Sequence, residues 1–255
     1  MRIEGSGPPL VLVPGMDGTG DLFYRQVPLL ARTYRVVRYA LRDDAESMGV
    51  LVDDLAGVIG TASPGGRPAV VLGESFGGAV ALSCALARPD LVAGLVIVNS
   101  FPRFLPQLRL RLAIAALRAL PFPWQAMSLV RRFTAFRLHS SYTHRREIRR
   151  FLELTAATTR RGYLARLKIL RQYDVRDRLS GIRLPTLFLA SDRDHLVPAV
   201  AQARYMAERV SGASLRVLTG HGHICLIAPN IDLDQILRDW PGRAGFSPRA
   251  GGPGP

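Results

Sequence analysis

One stretch of the chain joins an apolar strand to a helix through a serine at a glycine-rich corner. Residues 69–78 read Ala-Val-Val-Leu-Gly-Glu-Ser-Phe-Gly-Gly, and an Ala- and Leu-rich segment continues to residue 87. Because Gly73 and Gly77 have no Cβ, the strand and the helix can approach closely around a tight turn. The Ser75 hydroxyl then lies at a helix N-terminus, where backbone N–H groups favour developing negative charge. The pattern predicts a buried strand followed directly by a helix, with Ser75 as a candidate nucleophile.

A serine hydroxyl needs a base that accepts its proton. Two of the five histidines, His221 and His223, follow an apolar strand predicted at 215–218. Loops at strand ends usually carry the catalytic groups of open parallel sheets. We predict His223 as the base because it precedes an apolar run that can wall the site, and His221 stays the alternative. His139 and His144 lie in an Arg-rich helical stretch, where we expect them to be solvated.

The imidazole in turn needs a carboxylate that fixes its tautomer and stabilises its cation. A strand predicted at 184–190 ends in a loop that contains Asp192 and Asp194. We predict Asp194 as this acid because it lies deeper in the loop. Asp192 is expected to cap a turn or to pair with Arg193. The strand predicted at 92–99 ends in Asn-Ser and offers no carboxylate.

The reaction of such a serine also needs donors for an oxyanion. A strand predicted at 9–14 leads into the loop Gly-Met-Asp-Gly-Thr-Gly, whose glycines can aim backbone N–H groups at a ligand. We predict the N–H groups of Met16 and Phe76 as the two donors. A phosphate-cradling loop would need a Gly-Lys-Ser/Thr ending, which is absent, so no nucleotide cofactor is predicted. No Cys/His cluster has metal-ligand spacing, and no metal is predicted.

Strands and helices alternate along the sequence, which predicts a parallel sheet covered on both faces. The predicted strands lie at 9–14, 35–40, 69–73, 92–99, 184–190 and 215–218, and the predicted helices at 21–31, 46–60, 76–88, 199–210 and 230–240. Residues 1–100 and 181–241 are predicted to form the core. A helical insertion, residues 101–180, interrupts the core as a basic cap. The Gly- and Pro-rich segment 242–255 is expected to be a disordered tail.

The insertion, together with the residues that follow it to Arg183, carries all of the chain's net positive charge of +14. From Arg103 to Arg183 the chain holds 18 Arg, one Lys and four acidic residues, a net charge of +15, whereas the remainder has a net charge of −1. Arginines on solvated helices, attraction to an anionic membrane surface or acidic substrate, and nucleic-acid binding are three interpretations. Arginines mixed with apolar residues at 104–120 are typical of interfacial helices. No nucleic-acid-binding motif accompanies the charge, so that partner is disfavoured.

Taken together, these motifs resemble the α/β-hydrolase superfamily over about residues 8–240. The resemblance rests on Val-Pro-Gly-Met-Asp-Gly-Thr-Gly, Gly-Glu-Ser-Phe-Gly-Gly, Ser-Asp-Arg-Asp-His-Leu-Val-Pro and Gly-His-Ile. Within the superfamily, the chain is similar to the branch of serine esterases and acyltransferase-like proteins. The resemblance implies an α/β-hydrolase fold, with a mostly parallel sheet of about six strands, flanking helices and a helical cap over Ser75.

We predict a serine hydrolase that cleaves an ester or thioester with an apolar acyl group, using Ser75, His223 and Asp194 and an acyl-enzyme. The alternatives are acyl transfer on the same residues and a non-catalytic ligand-binding protein of the same fold. Two cysteines are too few for a disulfide framework. The sequence contains no charged-then-apolar leader and no run of about 18 apolar residues. We therefore expect a cytoplasmic location, with peripheral attachment to a membrane through the basic cap as an option.

Overall fold

A computed structural model describes residues 1–63, 65–105, 107–119 and 138–242 of the chain. The strands within these residues are β1 (Arg2–Glu4), β2 (Pro9–Val13), β3 (Arg35–Arg38), β4 (Ala69–Glu74), β5 (Val92–Val98), β6 (Thr186–Ser191) and β7 (Ser214–Leu218). They form one sheet in the order β1-β3-β2-β4-β5-β6-β7. Strands β2 to β7 pair in parallel, and β1 pairs antiparallel with β3 at the edge. The sheet thus has the predicted mostly parallel architecture.

The edge strand β1 adds one strand to the six that the sequence predicts. It places Ile3 opposite Val37 of β3, and its three residues are exposed or half-buried. So short a segment, without an apolar run, has no sequence pattern that distinguishes it from a loop. Tertiary pairing with β3 therefore creates this strand.

Helices flank the sheet and follow the strands in sequence. They are α1 (Val27–Leu30), α2 (Met48–Ala62), α3 (Phe76–Ala87), α4 (Gln107–Ala119), α5 (Arg145–Thr155), α6 (Arg160–Gln172), α7 (Ala199–Ala207) and α8 (Leu233–Asp239). Shorter 3-10 turns lie at Asp21–Arg25, Pro89–Leu91 and Arg176–Gly181. The predicted helices of the core are confirmed with ends displaced by at most three residues, except the first.

That first predicted helix, at 21–31, is divided into a 3-10 turn and α1. Pro28 lies in the first turn of α1. Proline has no N–H and its ring excludes the preceding turn, so it is accommodated where a helix begins and not where one continues. A single helix through this position would lose a backbone hydrogen bond, and the chain starts a new helix instead.

The core consists of two apolar layers, one on each face of the sheet. Strand β4 buries all six of its residues at the centre of the sheet. Val71 belongs to the layer under α2 and α3, and Leu72 to the layer that α1 and α8 cover. Full burial of a Val or Leu side chain contributes about 1.5–3 kcal/mol. The strand that precedes Ser75 therefore belongs to the most strongly held part of the molecule.

Helices α4, α5 and α6 lie in the insertion, between β5 and β6. The two ends of the insertion meet, because Val175 N donates to Pro102 O at 2.9 Å and Arg103 forms an isolated bridge with Asp174. Residues 120–137 of the insertion, and the predicted tail beyond Gly242, lie outside the described residues. None of the helices in the described ranges combines the length and apolarity that crossing a membrane requires.

Candidate active site

Ser75 occupies the corner between β4 and α3 with an unusual backbone conformation. Its φ of 54° and ψ of −117° lie in a region that residues with a side chain rarely adopt. Two hydrogen bonds hold the residue there: Ser75 N donates to Val98 O at 2.9 Å, and Ser100 Oγ donates to Ser75 O at 2.7 Å. A Cβ on Gly73 would overlap the backbone of Gly77. The surrounding glycines are thus a steric requirement of this turn.

The structure brings His223 and Asp194 to Ser75. The Nε2 atom of His223 lies 2.9 Å from Ser75 Oγ, and its Nδ1 atom lies 2.7 Å from Asp194 Oδ2. The other carboxylate oxygen of Asp194 accepts from Leu196 N at 2.9 Å and from Val197 N at 3.0 Å. All three polar side chains are at least nine-tenths buried. A serine, an imidazole and a fixed carboxylate in this order can activate the hydroxyl as a nucleophile.

The two competing side chains have other partners. The His221 ring lies 5.2 Å from the Tyr142 ring, and its Nε2 atom lies 3.3 Å from Asn230 Nδ2. Burial lowers the pKa of His221, which Asp192 opposes only in part. Asp192 Oδ1 accepts from Gly220 N at 2.7 Å. Both residues therefore brace the loop that presents His223.

The expectation that His139 is solvated is wrong. Its ring is buried and packs edge to face against Phe151, with the ring centroids 4.9 Å apart. Burial lowers its pKa to about 4. The backbone of His139 also forms a parallel bridge with Ile224, next to His223. Only this tertiary contact distinguishes His139 from His144, which is exposed as expected.

The glycine-rich loop after β2 lies beside Ser75. A Cβ placed on Gly15 would lie 3.7 Å from Ser75 Cβ. Gly18 N donates to Gly15 O at 3.1 Å and closes the turn between them. In the described part of the chain, neither Met16 N nor Phe76 N donates to another residue. Both N–H groups can therefore meet an external oxygen, as the first N–H groups of a helix commonly do.

Asn99 is a residue of the site region whose role the sequence did not indicate. It follows β5, has a φ of 46° and is almost completely buried. Its Nδ2 donates to His223 O at 2.7 Å and to Ser191 Oγ at 2.9 Å, and its Oδ1 accepts from Ser191 N at 2.8 Å. Asn99 thus connects the ends of β5 and β6 to the loop of His223. The available signal was a polar side chain directly after a buried strand.

Glu74 precedes Ser75 and is buried. Burial, and secondarily the nearby carboxylates of Asp17 and Asp194, raise its pKa to about 8. At neutral pH its carboxyl group is therefore mostly protonated. The neutral form avoids a further negative charge beside the carboxylates of Asp17 and Asp194.

Apolar side chains adjoin the loop of His223. Leu22, Phe151, Ile224 and Ile227 form a buried cluster that joins the core, the insertion and this loop. Cys225 is also buried, and burial raises the pKa of its thiol, which keeps it protonated and unreactive. Among the described residues, no group of three His, Cys, Asp or Glu side chains is placed to hold a metal ion.

A mostly parallel sheet, a strained serine at a strand-to-helix turn and an adjoining histidine and aspartate define an α/β hydrolase. The chain belongs to the alpha/beta hydrolase family, whose family model matches residues 10–235.

Curated relatives and solved structures agree with this membership. A Klebsiella pneumoniae protein to which carbamate hydrolase activity is attributed, RutD, is 28% identical over 91% of this chain and 90% of its own length. A pimeloyl-[acyl-carrier protein] methyl ester esterase of Stenotrophomonas maltophilia is 29% identical over 99% of both chains. A thermophilic esterase from Thermogutta terrifontis has the same fold, with a TM-score of 0.80 at 23% identity over 96% of this chain and 93% of that one. The chain is therefore a hydrolase of this family.

Proposed function

We propose that this hydrolase is a serine enzyme that cleaves an ester or thioester with an apolar acyl group through an acyl-enzyme. The observation that carries the proposal is the unbroken hydrogen-bonded series Asp194–His223–Ser75, with distances of 2.7 and 2.9 Å. Uncharged Ser75 becomes nucleophilic only if its proton leaves as the bond to carbon forms, and His223 Nε2 is within reach of that proton.

In the acylation step, Ser75 Oγ attacks the substrate carbonyl carbon while its proton passes to His223 Nε2. The carbonyl oxygen becomes an oxyanion, which the N–H groups of Met16 and Phe76 stabilise. The carbon–oxygen or carbon–sulfur bond then breaks, and the imidazolium of His223 protonates the departing alkoxide or thiolate. Asp194 keeps the proton on Nδ1 and stabilises the imidazolium.

In the deacylation step, water attacks the acyl-Ser75 ester while His223 removes its proton. The second oxyanion collapses, Ser75 regains its proton from His223, and the carboxylic acid leaves. Transfer of the acyl group to an alcohol would use the same atoms, with the alcohol in place of water. The names of the relatives, which are hydrolases and an esterase, favour water.

The preference for an apolar acyl group rests on the cluster of Leu22, Phe151, Ile224 and Ile227. Ile224 directly follows His223, so this apolar cluster adjoins the residue that contacts Ser75 Oγ. Each buried CH₂ group of a ligand contributes about 0.8 kcal/mol in such an environment. The insertion, which we propose folds as a cap on the core, contributes Phe151 to this cluster.

The positive charge of the insertion favours a substrate that is held on an anionic membrane surface or on an acidic protein. Helix α4 exposes Leu108 and Leu112 beside Arg111 and Arg118, which supports docking on an anionic membrane surface. A second candidate is an ester on an acidic carrier protein, which the pimeloyl-[acyl-carrier protein] relative favours. Salt-dependent binding to lipid vesicles or to a carrier protein would distinguish the two.

The first test uses p-nitrophenyl esters of graded acyl length and a fluorophosphonate probe. We expect kcat/KM to rise with acyl length, and the probe to label the wild-type protein. Ser75→Ala should lose labelling and lower kcat by at least about 10³-fold without loss of fold, because the nucleophile is gone. Labelling or turnover that persists in Ser75→Ala would refute the proposal. The products of a reaction with added alcohols separate hydrolysis from acyl transfer.

A further inference from the structure

The insertion places one buried arginine against the loop that follows β2. Arg166 of α6 has only 1% of its surface exposed. Its Nη1 donates to Met16 O at 3.3 Å, and its Nη2 donates to Leu41 O at 3.3 Å and to Asp43 Oδ1 at 3.0 Å. Burial of a guanidinium is unfavourable unless acceptors surround it. Arg166 therefore differs from the exposed arginines of the insertion, such as Arg111 and Arg118.

Two glycines make room for this contact. Gly18 has a φ of +72°, and a Cβ on it would overlap the guanidinium of Arg166. Gly162 lies within α6, where glycine is unfavourable, and a Cβ on it would overlap the carboxylate of Asp43. The position of Arg166 thus requires Gly18 in the loop after β2, and the position of Asp43 requires Gly162 in α6. The sequence allows a closer approach of α6 to the core than side chains would permit.

One of the atoms that Arg166 contacts is the carbonyl oxygen of Met16, the residue whose N–H we propose as an oxyanion donor. Met16 lies in the turn that Gly18 N and Gly15 O close at 3.1 Å, and Leu41 N donates to Gly18 O at 2.8 Å. By binding both Met16 O and Leu41 O, the guanidinium joins the turn to the segment beyond β3. A fixed Met16 carbonyl restricts rotation about that residue, and this restriction also limits the direction of its N–H.

We propose that Arg166 is a positioning residue, which holds the Met16 N–H toward the oxyanion at Ser75 through its hydrogen bond to Met16 O. The inference rests on the proposed function, because it requires that Met16 donates to the oxyanion. Oxyanion donors stabilise the transition state more than the bound substrate, since the charge develops only there. Loss of Arg166 should consequently lower kcat and leave KM nearly unchanged.

The chain offers a matched control for this contact. Thr159 Oγ1 donates to the other oxygen of Asp43 at 2.6 Å and caps α6 by accepting from Gly162 N at 2.9 Å. Thr159→Ala therefore loosens α6 from Asp43 without removing a bond to Met16. Arg166→Met removes all three guanidinium contacts, and Arg166→Lys keeps a cation that can reach only part of them.

The experiment measures kcat per active site, with sites counted by complete reaction with a fluorophosphonate. We expect Arg166→Met to lower kcat about tenfold, less than the ~10²–10³-fold lost with a direct oxyanion donor. KM should change less than about twofold, Arg166→Lys should be intermediate, and Thr159→Ala should keep near wild-type kcat. Affinity for a trifluoromethyl ketone, which forms a tetrahedral adduct with serine, should fall in proportion to kcat/KM.

Wild-type kcat per site in Arg166→Met, or unchanged affinity for the ketone, would overturn the inference. An equal loss in Thr159→Ala would also overturn it, because the effect would then follow the attachment of α6 alone. If Arg166→Met does not fold, Arg166→Lys supplies the same comparison. Failure of the proposed function is recognised separately, by turnover that survives in Ser75→Ala.

Discussion

The carboxyl edge of the sheet, where the strands end and Ser75, Asp194 and His223 follow them, is stabilised differently from the insertion, residues 101–180. At the edge, β4 buries all six residues, and Ser75, Asn99 and Asp194 follow strands that helices cover on both faces. In the insertion, α4 leaves Leu108 and Leu112 more than 60% exposed. Burial maintains the first region, whereas the insertion combines buried residues that join the core, such as Ile169 and Leu170, with an exposed outer face and polar contacts to the loops. The difference implies that the edge fixes the chemistry while the insertion can vary around it.

The attachments of the insertion converge on the loops of the site. Ser141 Oγ donates to Gly220 O at 2.9 Å, and Ile224 N donates to Leu138 O at 2.8 Å. On the opposite side, Arg166 donates to Met16 O. A contact of this kind contributes about 0.5–1.5 kcal/mol when both groups are neutral, less than a fully buried Leu side chain. Changes in the insertion should therefore tune the reaction, whereas changes at the edge should abolish it.

The largest effect is expected at the edge, from the residues that orient and activate Ser75. His223→Ala and Asp194→Asn should each lower kcat by about 10³-fold or more. The first variant removes the base of Ser75, and the second no longer holds His223 in the required tautomer. His221→Ala and Asp192→Asn should cost less than about tenfold, since both residues contact the loop and not Ser75. Circular dichroism serves as the control for folding. A folded His221→Ala variant that is slower than His223→Ala would exchange the roles of the two histidines.

Residues that follow the strands could be predicted from the sequence, whereas the buried residues of the insertion could not. Ser75, Asp194 and His223 each follow an apolar run, and parallel strands bring such positions to one edge of the sheet. The structure duly places these three side chains together. His139 and Arg166 lie in an Arg-rich stretch with no local sign of burial, and both are buried by contacts with loops more than 80 residues away. Their positions are decided by tertiary packing, which local pattern does not encode.

An intermediate effect is expected on stability, from the buried carboxyl of Glu74. Its pKa is raised to about 8 in the folded protein, from 4.5. Between these values the unfolded chain has already lost the proton that the folded protein retains, so the contribution of Glu74 to the free energy of unfolding falls as pH rises and levels off above pH 8. Glu74→Gln should remove this dependence and be more stable than wild type at pH 8, by on the order of a few kcal/mol.

Glu153→Gln in the insertion is the matched control for this measurement. Glu153 is exposed and pairs with Arg150 at 3.1 Å, a surface contact of small energy. Urea unfolding of the three proteins between pH 5 and pH 9 compares a buried carboxyl of the edge with a solvated one of the insertion. If the free energies of unfolding of wild type and Glu74→Gln change equally with pH, the pKa of Glu74 is not raised. The buried carboxyl of the edge would then behave like the exposed carboxyl of Glu153.

The smallest effect is expected at the outer surface of the insertion. Arg111 and Arg118 lie on α4 with the exposed Leu108 and Leu112, and the region from Arg103 to Arg183 has a net charge of +15. A basic residue near an anionic bilayer contributes about 1 kcal/mol, which salt screens within a Debye length of about 8–10 Å. We expect cosedimentation with anionic vesicles at low salt and its loss at high salt. Arg111→Glu should weaken it severalfold, whereas Arg32→Glu, an exposed change in the core, should not. If binding does not depend on lipid charge and salt, or if there is no binding, these arginines only solvate the insertion. Hydrolysis of p-nitrophenyl esters in solution should be the same in all of these variants, because none of the substituted residues lies at the carboxyl edge.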